Sequence, residues 1–396
     1  MGIILNYIEK NSDGKVKAYD TQKRFIEEYE LDTFGEFDDH KNNVQPKDKA
    51  TLYAENKPSK VDQIEIPVKD ISFRKNNSLF KYFMDGTRHV YKVGDIAING
   101  IVYPLVVGQI IVGYCGRDKR DIKIGQFRRF IVLTVPIQYD TNRQGPNFFR
   151  HKCEEINAVI RETPLYKKFG IQLDSVIPYG KPEEMNGEIG RNKYLRLAVA
   201  CIQNEMLDQE RILVDDLVMT AKVSDDNEML IKDGSIEYKK DFTNRPNEKA
   251  LSSSKFSLNF QYVIGVSKMF NPELLGEREP RIGTIIAELK PLHRTNAYQY
   301  YYEGKVYCVW YIRLRDTINR PNRYADIIKV EMIMREGESV KQSSLINSIS
   351  AHLINVAYPV CYGNDSRWAN HIYPVYITER FCKSMFIDEK LIIRMI

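Results

Sequence analysis

Hydrophobic and polar residues follow different patterns on either side of residue 79. Before it the chain is rich in charge and poor in long apolar runs; RFIEEYELDTFGEF predicts a short amphipathic helix and IEIPVKDISF a first strand. Beyond it, stretches rich in β-branched and aromatic residues are separated by turn residues, as is typical of strands. We therefore expect an N-terminal extension over residues 1–75 and one α/β domain over residues 76–396.

The domain begins with strands. LFKYFMDGTRHVYKV predicts a strand, an Asp-Gly turn and a second strand, and YPLVVGQIIVGYC and FRRFIVLTVPI predict two more. Together they form a consecutive antiparallel set. A helical period of apolar residues then runs through HKCEEINAVIRETPLYKKFG and through the long segment KYLRLAVACIQNEMLDQERILVDDLVMTAK.

The second half alternates strands with helices. The same criteria predict strands at EMLIKDGSI, FSLNFQYVIGVSK and ADIIKVEMIM, a hairpin at YQYYYEGKVYCVWYIRL, and helices at PRIGTIIAELKPL, SSLINSISAHLINVAY and YPVYITERFCKSMFIDEKLIIRMI. An antiparallel set followed by helix-linked strands predicts an α/β fold, a mixed β-sheet flanked by helices in the ribonuclease H-like order.

One apolar stretch, residues 95–115, is long enough to resemble a membrane helix. Asp95, Asn99, Pro104 and Gln109 interrupt it, and β-branched residues dominate, so two adjacent buried strands explain it better. The N-terminus shows no secretory pattern. The six cysteines lie mostly in apolar runs and form no CxxC pair, which favours reduced thiols. We expect a cytoplasmic protein with no membrane association.

Charge permits nucleic-acid binding without requiring it. The chain has 58 basic and 53 acidic residues, a net charge of +5, so binding would need a local patch. Several segments mix Arg or Lys with Tyr or Phe, the combination that binds single strands, although solvated strand ends look the same. Arg313 and Arg315 alternate along one strand, and Arg88 and Arg313 are our candidates for contact with DNA.

The candidate chemistry starts from two Asp-Gly steps, Asp85-Gly86 in FMDGT and Asp233-Gly234 in LIKDGS. Either step alone is explained as well by a turn, which Asp-Gly favours. Carboxylates at the ends of neighbouring strands can also converge, and phosphodiester hydrolysis with Mg²⁺ or Mn²⁺ needs such hard oxygen ligands.

A third ligand could come from the long acidic helix. Most of its carboxylates are expected to be solvated surface charges. We select Glu210, with Glu205 as the substitute.

The order of these segments resembles the NurA family, nucleases that act with the HerA DNA translocase. MDGT at Asp85 is similar to the family's opening Asp-Gly-Ser strand. QERILVDDLV followed by MLIKDGSI resembles its acidic helix and second Asp-Gly strand. VIGVSK, ending at Lys268, resembles the Val-Gly-Val-x-Lys strand. VWYIRL and KVEMIM, which carries Glu331, resemble later strands, and Tyr373-Pro374 resembles the C-terminal Tyr-Pro motif.

The resemblance implies a ribonuclease H-like DNA nuclease, dimeric and seated on a hexameric HerA-like ATPase, acting in DNA end processing or defence. Asp85, Asp233 and Glu210 would be catalytic residues that ligate Mn²⁺ or Mg²⁺. Lys268 would neighbour the phosphate or the metal site, and Tyr373 would neighbour the phosphate or contact DNA. The chain holds no P-loop, so ATP hydrolysis would come from the partner.

One feature departs from the family, in which a histidine of the active site follows the Tyr-Pro step by about two helical turns. Here that position falls near Arg380-Phe381 and carries no histidine. His352 and His371 lie upstream and could replace it in space, although a core or surface role explains each as well.

Two other functions stay open. IIAELK, with Glu288 and Lys290, resembles the Glu-x-Lys strand of restriction-type nucleases, with Pro272-Glu273 as its upstream partner. A nuclease-like adaptor that docks on a translocase or on DNA without cutting is the second.

Overall fold

The architecture comes from a computed structural model. It describes residues 2–20, 50–55, 63–68, 78–118, 121–140, 144–180, 193–221, 223, 228–238, 258–270, 272, 281–302, 305–315, 323–334, 343–357 and 372–395. The helix predicted at RFIEEYELDTFGEF, and also His371, Cys361, Glu273 and Glu303-Gly304, lie outside the described residues.

The described strands form one mixed sheet. In chain order they are β1 (Val16–Asp20), β2 (Ala50–Ala54), β3 (Ile64–Glu65), β4 (Phe80–Ile98), β5 (Ile101–Asp118), β6 (Asp121–Pro136), β7 (Ser175–Tyr179), β8 (Met229–Asp233), β9 (Val263–Ser267), β10 (His293–Arg294), β11 (Tyr298–Tyr302), β12 (Lys305–Arg313) and β13 (Ile327–Ile333). The main order is β2-β11-β12-β13-β9-β8-β4-β5-β6-β7. Pairing is parallel for β4–β8, β8–β9 and β6–β7, and antiparallel for the other pairs.

Helices cover both faces of this sheet. They are α1 (Ile3–Lys10), α2 (Pro146–Arg161), α3 (Pro164–Phe169), α4 (Lys193–Ala221), α5 (Ile282–Ala287), α6 (Ser343–Val356), α7 (Tyr373–Ser384) and α8 (Glu389–Met395). Met84 joins the core beneath α4, whereas its neighbour Phe83 joins the core with α6 and α7. Because successive strand residues point to opposite faces, α4 and α7 cover opposite sides of β4. The predicted mixed sheet flanked by helices is confirmed; its ribonuclease H-like assignment stays a prediction.

The Asp85-Gly86 step lies inside a strand. β4 runs unbroken from Phe80 to Ile98 and pairs with β5 through both residues. The turn predicted there is therefore wrong. The chain reverses instead at Asn99-Gly100, where φ is 51° and 80°, the left-handed pair that a two-residue hairpin requires. A turn therefore does not explain why an aspartate stands at position 85, and another reason is needed for this residue.

The N-terminal residues share the sheet and its core. β1 pairs antiparallel with the end of β4, and β2 pairs with β11. In α1, Ile4, Leu5 and Ile8 are buried in the same cluster as residues of β4 and β5. The segment predicted to be an N-terminal extension therefore contributes strands to the sheet.

Most other predicted elements are present with adjusted ends. The strands of the second half and the long helix α4 are confirmed, as is the pairing of β11 with β12. The helix predicted over HKCEEINAVIRETPLYKKFG divides at Thr163-Pro164, because proline cannot continue a helix hydrogen-bond ladder. The closing helix divides into α7 and α8.

The apolar stretch at 95–115 belongs to β4 and β5, as predicted. Among the residues described, no helix combines the length and apolarity that crossing a bilayer demands. Five cysteines, Cys115, Cys153, Cys201, Cys308 and Cys382, are free thiols, in agreement with the sequence interpretation.

Candidate active site

Asp85 and Asp233 lie at the same level of two neighbouring strands. β4 and β8 run parallel, and Met84 pairs with Lys232 in their register. The next residue on each strand is the aspartate, so both carboxylates leave the sheet on the same face. Asp85 is 7% exposed, and its Oδ1 accepts a hydrogen bond of 2.9 Å from the Gly86 N–H.

The sheet has a notch at this point. β8 ends at Asp233, and Gly234 turns away with φ of +85°. β4 continues past Asp85 and next meets a described strand on that edge at Gly94, which pairs with β1. Side chains from both faces of the sheet can therefore approach Asp85 around the end of β8.

Helix α7 brings an acidic residue to the notch. Thr378 Oγ1 donates to the Phe83 carbonyl at 3.0 Å, and Cys382 Sγ lies 3.7 Å from the Asp85 carbonyl as a weak donor. These contacts dock the helix along β4. Glu379, between them, acts electrostatically on Asp85 and lies 2.8 Å from Lys383 Nζ.

Glu210 approaches from α4 on the other side. A Cβ built on Gly86 would lie 2.3 Å from Glu210 Oε1, so the carboxylate occupies the space that a side chain would fill. Glu210 is 2% exposed, and Lys232 Nζ lies 2.8 Å from its Oε2. Burial raises the pKa of Glu210, with Lys232 opposing and Asp233 reinforcing the shift.

Lys268 lies between the other carboxylates. It follows β9, and its Nζ is 2.7 Å from Asp233 Oδ2 and 3.9 Å from the nearer Glu379 oxygen. Burial lowers the pKa of this lysine, but Asp233 and Asp85 outweigh burial, and the net pKa is raised. Lys268 therefore stays charged.

The pKa of Asp85 is shifted by burial and by its charged neighbours. Burial raises its pKa, and the charge of Asp233 raises it further; Lys268 opposes the shift, while Glu379 and Glu210 add to it. The net pKa is well above the usual range for an aspartate. Three carboxylates thus repel the charge of Asp85 across this notch, and a further cation would relieve that repulsion.

Comparison with solved structures finds a likeness to a nuclease. No model of a protein family matches the chain, and no curated protein matches it. The crystal structure of the NurA nuclease from Sulfolobus solfataricus aligns over 93% of this chain and 95% of that chain, with a TM-score of 0.39 and 12% sequence identity. At that score and identity, the alignment supports no conclusion about chemistry, so function must be argued from the notch.

The donor chemistry fits a hard divalent cation. Asp85, Asp233, Glu210 and Glu379 offer carboxylate oxygens, the ligands that Mg²⁺ and Mn²⁺ prefer. In the part of the chain that the structure describes, however, no three acidic, His or Cys side chains form a ready-made metal cage. Because Lys268 pairs with Asp233 and Lys232 pairs with Glu210, cation binding would require these side chains to rearrange.

Other predicted residues lie in different environments. Arg88 contributes its charge to Glu210 and so lies beside the notch. Tyr373 begins α7 and is 39% exposed. Glu205 accepts a hydrogen bond from Gln209 at 2.7 Å. Burial raises the pKa of Asp174, and Glu205 adds to this shift, which places Glu205 toward β6 and β7.

Arg313 has a structural role. It is completely buried, and its guanidinium donates to the carbonyls of Leu289, Ala325, Ala287 and Arg323 at 2.6–3.1 Å. These bonds pin the segments around β12 and direct the guanidinium away from solvent. The structure does not support the prediction that it contacts DNA.

The Glu-x-Lys alternative loses its structural basis. Glu288 caps the C-terminal end of α5, and both Glu288 and Lys290 are exposed. The restriction-type arrangement needs this segment on a strand, and here it is a helix end.

Sequence reasoning missed Glu379 and Lys232. Glu379 lies five residues after Pro374, on the helix where the family's histidine was expected. An acidic residue on the sheet-facing side of that helix was the available signal. Lys232 directly precedes Asp233 in an otherwise apolar strand, and a lysine there predicts a buried carboxylate partner.

Proposed function

We propose that this protein is a divalent-cation-dependent nuclease that hydrolyses phosphodiester bonds at the notch between β4 and β8. The observation that supports it is the register of Asp85 and Asp233, which places two carboxylates side by side. Glu210 and Glu379 approach the same point from opposite faces. A structural role alone explains poorly why mutually repelling carboxylates should be gathered here.

Asp85, Asp233, Glu210 and Glu379 would hold the cation. When bound, Mg²⁺ or Mn²⁺ supplies Lewis acidity and neutralises charge that develops on the phosphate. The chain's own residues do the rest. Lys268 keeps Asp233 in place, and Lys232 keeps Glu210 against Gly86. Arg88, whose charge acts on Glu210, would contact a phosphate oxygen at the edge of the notch.

DNA as the substrate, a dimeric state and a HerA-like hexameric ATPase as the partner are part of this proposal. Their support is the order of short motifs that resembles the NurA family. The chain has no P-loop, so a processive reaction would need an external motor.

Replacing Asp233 with Asn tests the site directly. The substitution removes the charge that binds the cation and that pairs with Lys268, while the side-chain shape is kept. We expect cleavage of linear DNA in Mn²⁺ to fall at least about 100-fold, because losing even an outer partner of a metal ligand costs about 10–100-fold. Cleavage of labelled single- and double-stranded DNA is the measurement.

Glu288→Gln is the matched control, since it neutralises an exposed carboxylate at the end of α5. We expect unchanged cleavage. A reversed pattern, with Glu288→Gln inactive and Asp233→Asn active, would establish the restriction-type mechanism instead. Folded wild-type protein that cleaves no DNA with Mn²⁺, with or without an ATPase partner, would contradict the nuclease proposal and favour an adaptor.

A further inference from the structure

Glu331 is an unusual residue for the centre of a sheet. It lies in β13, two strands away from β8, and is completely buried. Its Oε2 accepts hydrogen bonds from Ser235 Oγ at 2.7 Å and from the Ile236 N–H at 3.2 Å, and its other oxygen pairs with Lys329. Each oxygen of this buried carboxylate thus has a partner within the protein, Oε2 through hydrogen bonds and Oε1 through an ion pair.

Those partners belong to the loop that directly follows Asp233. Gly234 turns the chain, and its N–H donates to the Val266 carbonyl at 2.8 Å. Ser235 and Ile236 then bind Glu331. The loop therefore has two anchors, one on β9 and one on β13, and both lie within three residues of Asp233.

Gly265 makes the second anchor reachable. It lies in β9, between β13 and β8, and pairs with Glu331 of β13 on one side and with Lys232 of β8 on the other. A Cβ there would lie 3.0 Å from Ile236 Cγ2 and 3.1 Å from the Gly234 carbonyl oxygen. Because glycine has no side chain, the loop can fold across β9 and meet Glu331.

We propose that Glu331 is a positioning residue for the candidate active site. It holds the loop of residues 234–236 across Gly265, and the loop holds the end of β8 so that the Asp233 carboxylate stays level with Asp85. This role rests on the proposed function. Glu331 does not itself touch the substrate or the cation in this mechanism.

A purely structural role is the competing explanation, since a buried, bonded carboxylate also stabilises its surroundings. The two roles differ in what happens to the cation. If Glu331 sets the position of Asp233, weakening its bonds must lower affinity for Mn²⁺ even in protein that remains folded. If it only supports the core, thermal stability falls and Mn²⁺ affinity does not.

The test compares Glu331→Gln and Ser235→Ala in the full-length protein. Mn²⁺ affinity is measured by electron paramagnetic resonance of free Mn²⁺, and kcat and KM for DNA are measured separately. We expect Glu331→Gln to weaken Mn²⁺ binding about tenfold, in line with the loss of an outer partner, and to lower kcat more than KM. Ser235→Ala should give a smaller loss of the same kind, and Ser235→Thr, which keeps the hydroxyl, should restore binding.

Ser350→Ala is the matched control. Ser350 is a buried serine on α6 whose hydroxyl accepts from Trp310 Nε1 and donates to the Ile346 carbonyl. This change should lower the melting temperature and leave Mn²⁺ affinity unchanged. The positioning role is overturned if Glu331→Gln and Ser235→Ala behave like this control. Wild-type protein without Mn²⁺ binding or cleavage would instead overturn the proposed function, and this inference with it.

Discussion

Asp85→Asn is expected to abolish cleavage and, at the same time, to make the metal-free protein more stable. Asp85 is the most buried of the notch aspartates, and three other carboxylates repel its charge. Asn keeps the size and removes the charge, so a cation ligand is lost. We expect cleavage to fall by more than about 100-fold, beyond the range for outer partners of a metal ligand.

The stability effect follows from the sign of the pKa shift. The folded state raises the pKa of Asp85 above its ordinary, unfolded value, so folding disfavours the charged form. The resulting penalty is complete above the raised pKa and disappears below the ordinary one. Asn removes it. At neutral pH the metal-free variant should melt higher, by about 1 °C for each kcal/mol relieved in a chain of this length, and the difference should shrink as pH falls toward the ordinary carboxylate pKa.

Added Mn²⁺ should reverse this order. A cation that binds only the folded protein stabilises it by about 2.7 kcal/mol at a hundred times its Kd, and the wild type should gain more than the variant. Asp95→Asn is the control, because Asp95 lies ten residues further along the same strand, is half-buried, and pairs with Lys92 at 2.9 Å. An Asp85→Asn protein that cleaves DNA normally, or that is less stable without metal, would refute this account of the notch.

Gly86→Ala is expected to damage the site through a single methyl group. The added Cβ would lie 2.3 Å from Glu210 Oε1 and 3.1 Å from its Cδ. Glu210 must move, but it is buried and held by Lys232. We expect an activity loss of about 10–100-fold, the range for a displaced ligand environment, and a stability cost of about 1–3 kcal/mol from overpacking.

Gly116→Ala provides the comparison in the neighbouring strand β5. There the added Cβ would lie 3.7 Å from the Tyr82 ring, an ordinary van der Waals contact. Cleavage and melting temperature should stay near wild-type values. The double variant Gly86→Ala with Glu210→Ala should lose no more activity than Glu210→Ala alone, since both changes act on one carboxylate. Additive losses would show that Gly86 acts by another route.

The Asp85-Gly86 step shows that a turn cannot be predicted reliably from the local sequence alone. From sequence, Asp85-Gly86 is a good two-residue turn, yet β4 passes through it. Asn99-Gly100 has the same turn chemistry, and there the chain does reverse. Local preference cannot choose between two such steps. The longer apolar pairing of β4 with β5, which buries both strands only in the observed register, makes the choice.

The sequence by itself determined the elements and the residues with chemistry to offer. Strand and helix periodicity located the antiparallel set, the long helix and the later strands, because burial of one face imposes a repeat that can be read locally. It also singled out Asp85, Asp233, Glu210 and Lys268, whose positions in the structure meet at one notch.

Only the tertiary structure decided what those residues contact. Parallel register set Asp85 level with Asp233, and the docking of α7 brought Glu379 from far along the chain. Packing also buried Arg313 among carbonyls and placed Glu331 beneath the loop after Asp233. Such contacts join residues from distant parts of the chain, so no local repeat records them; they exist only once the strands are paired and the helices packed.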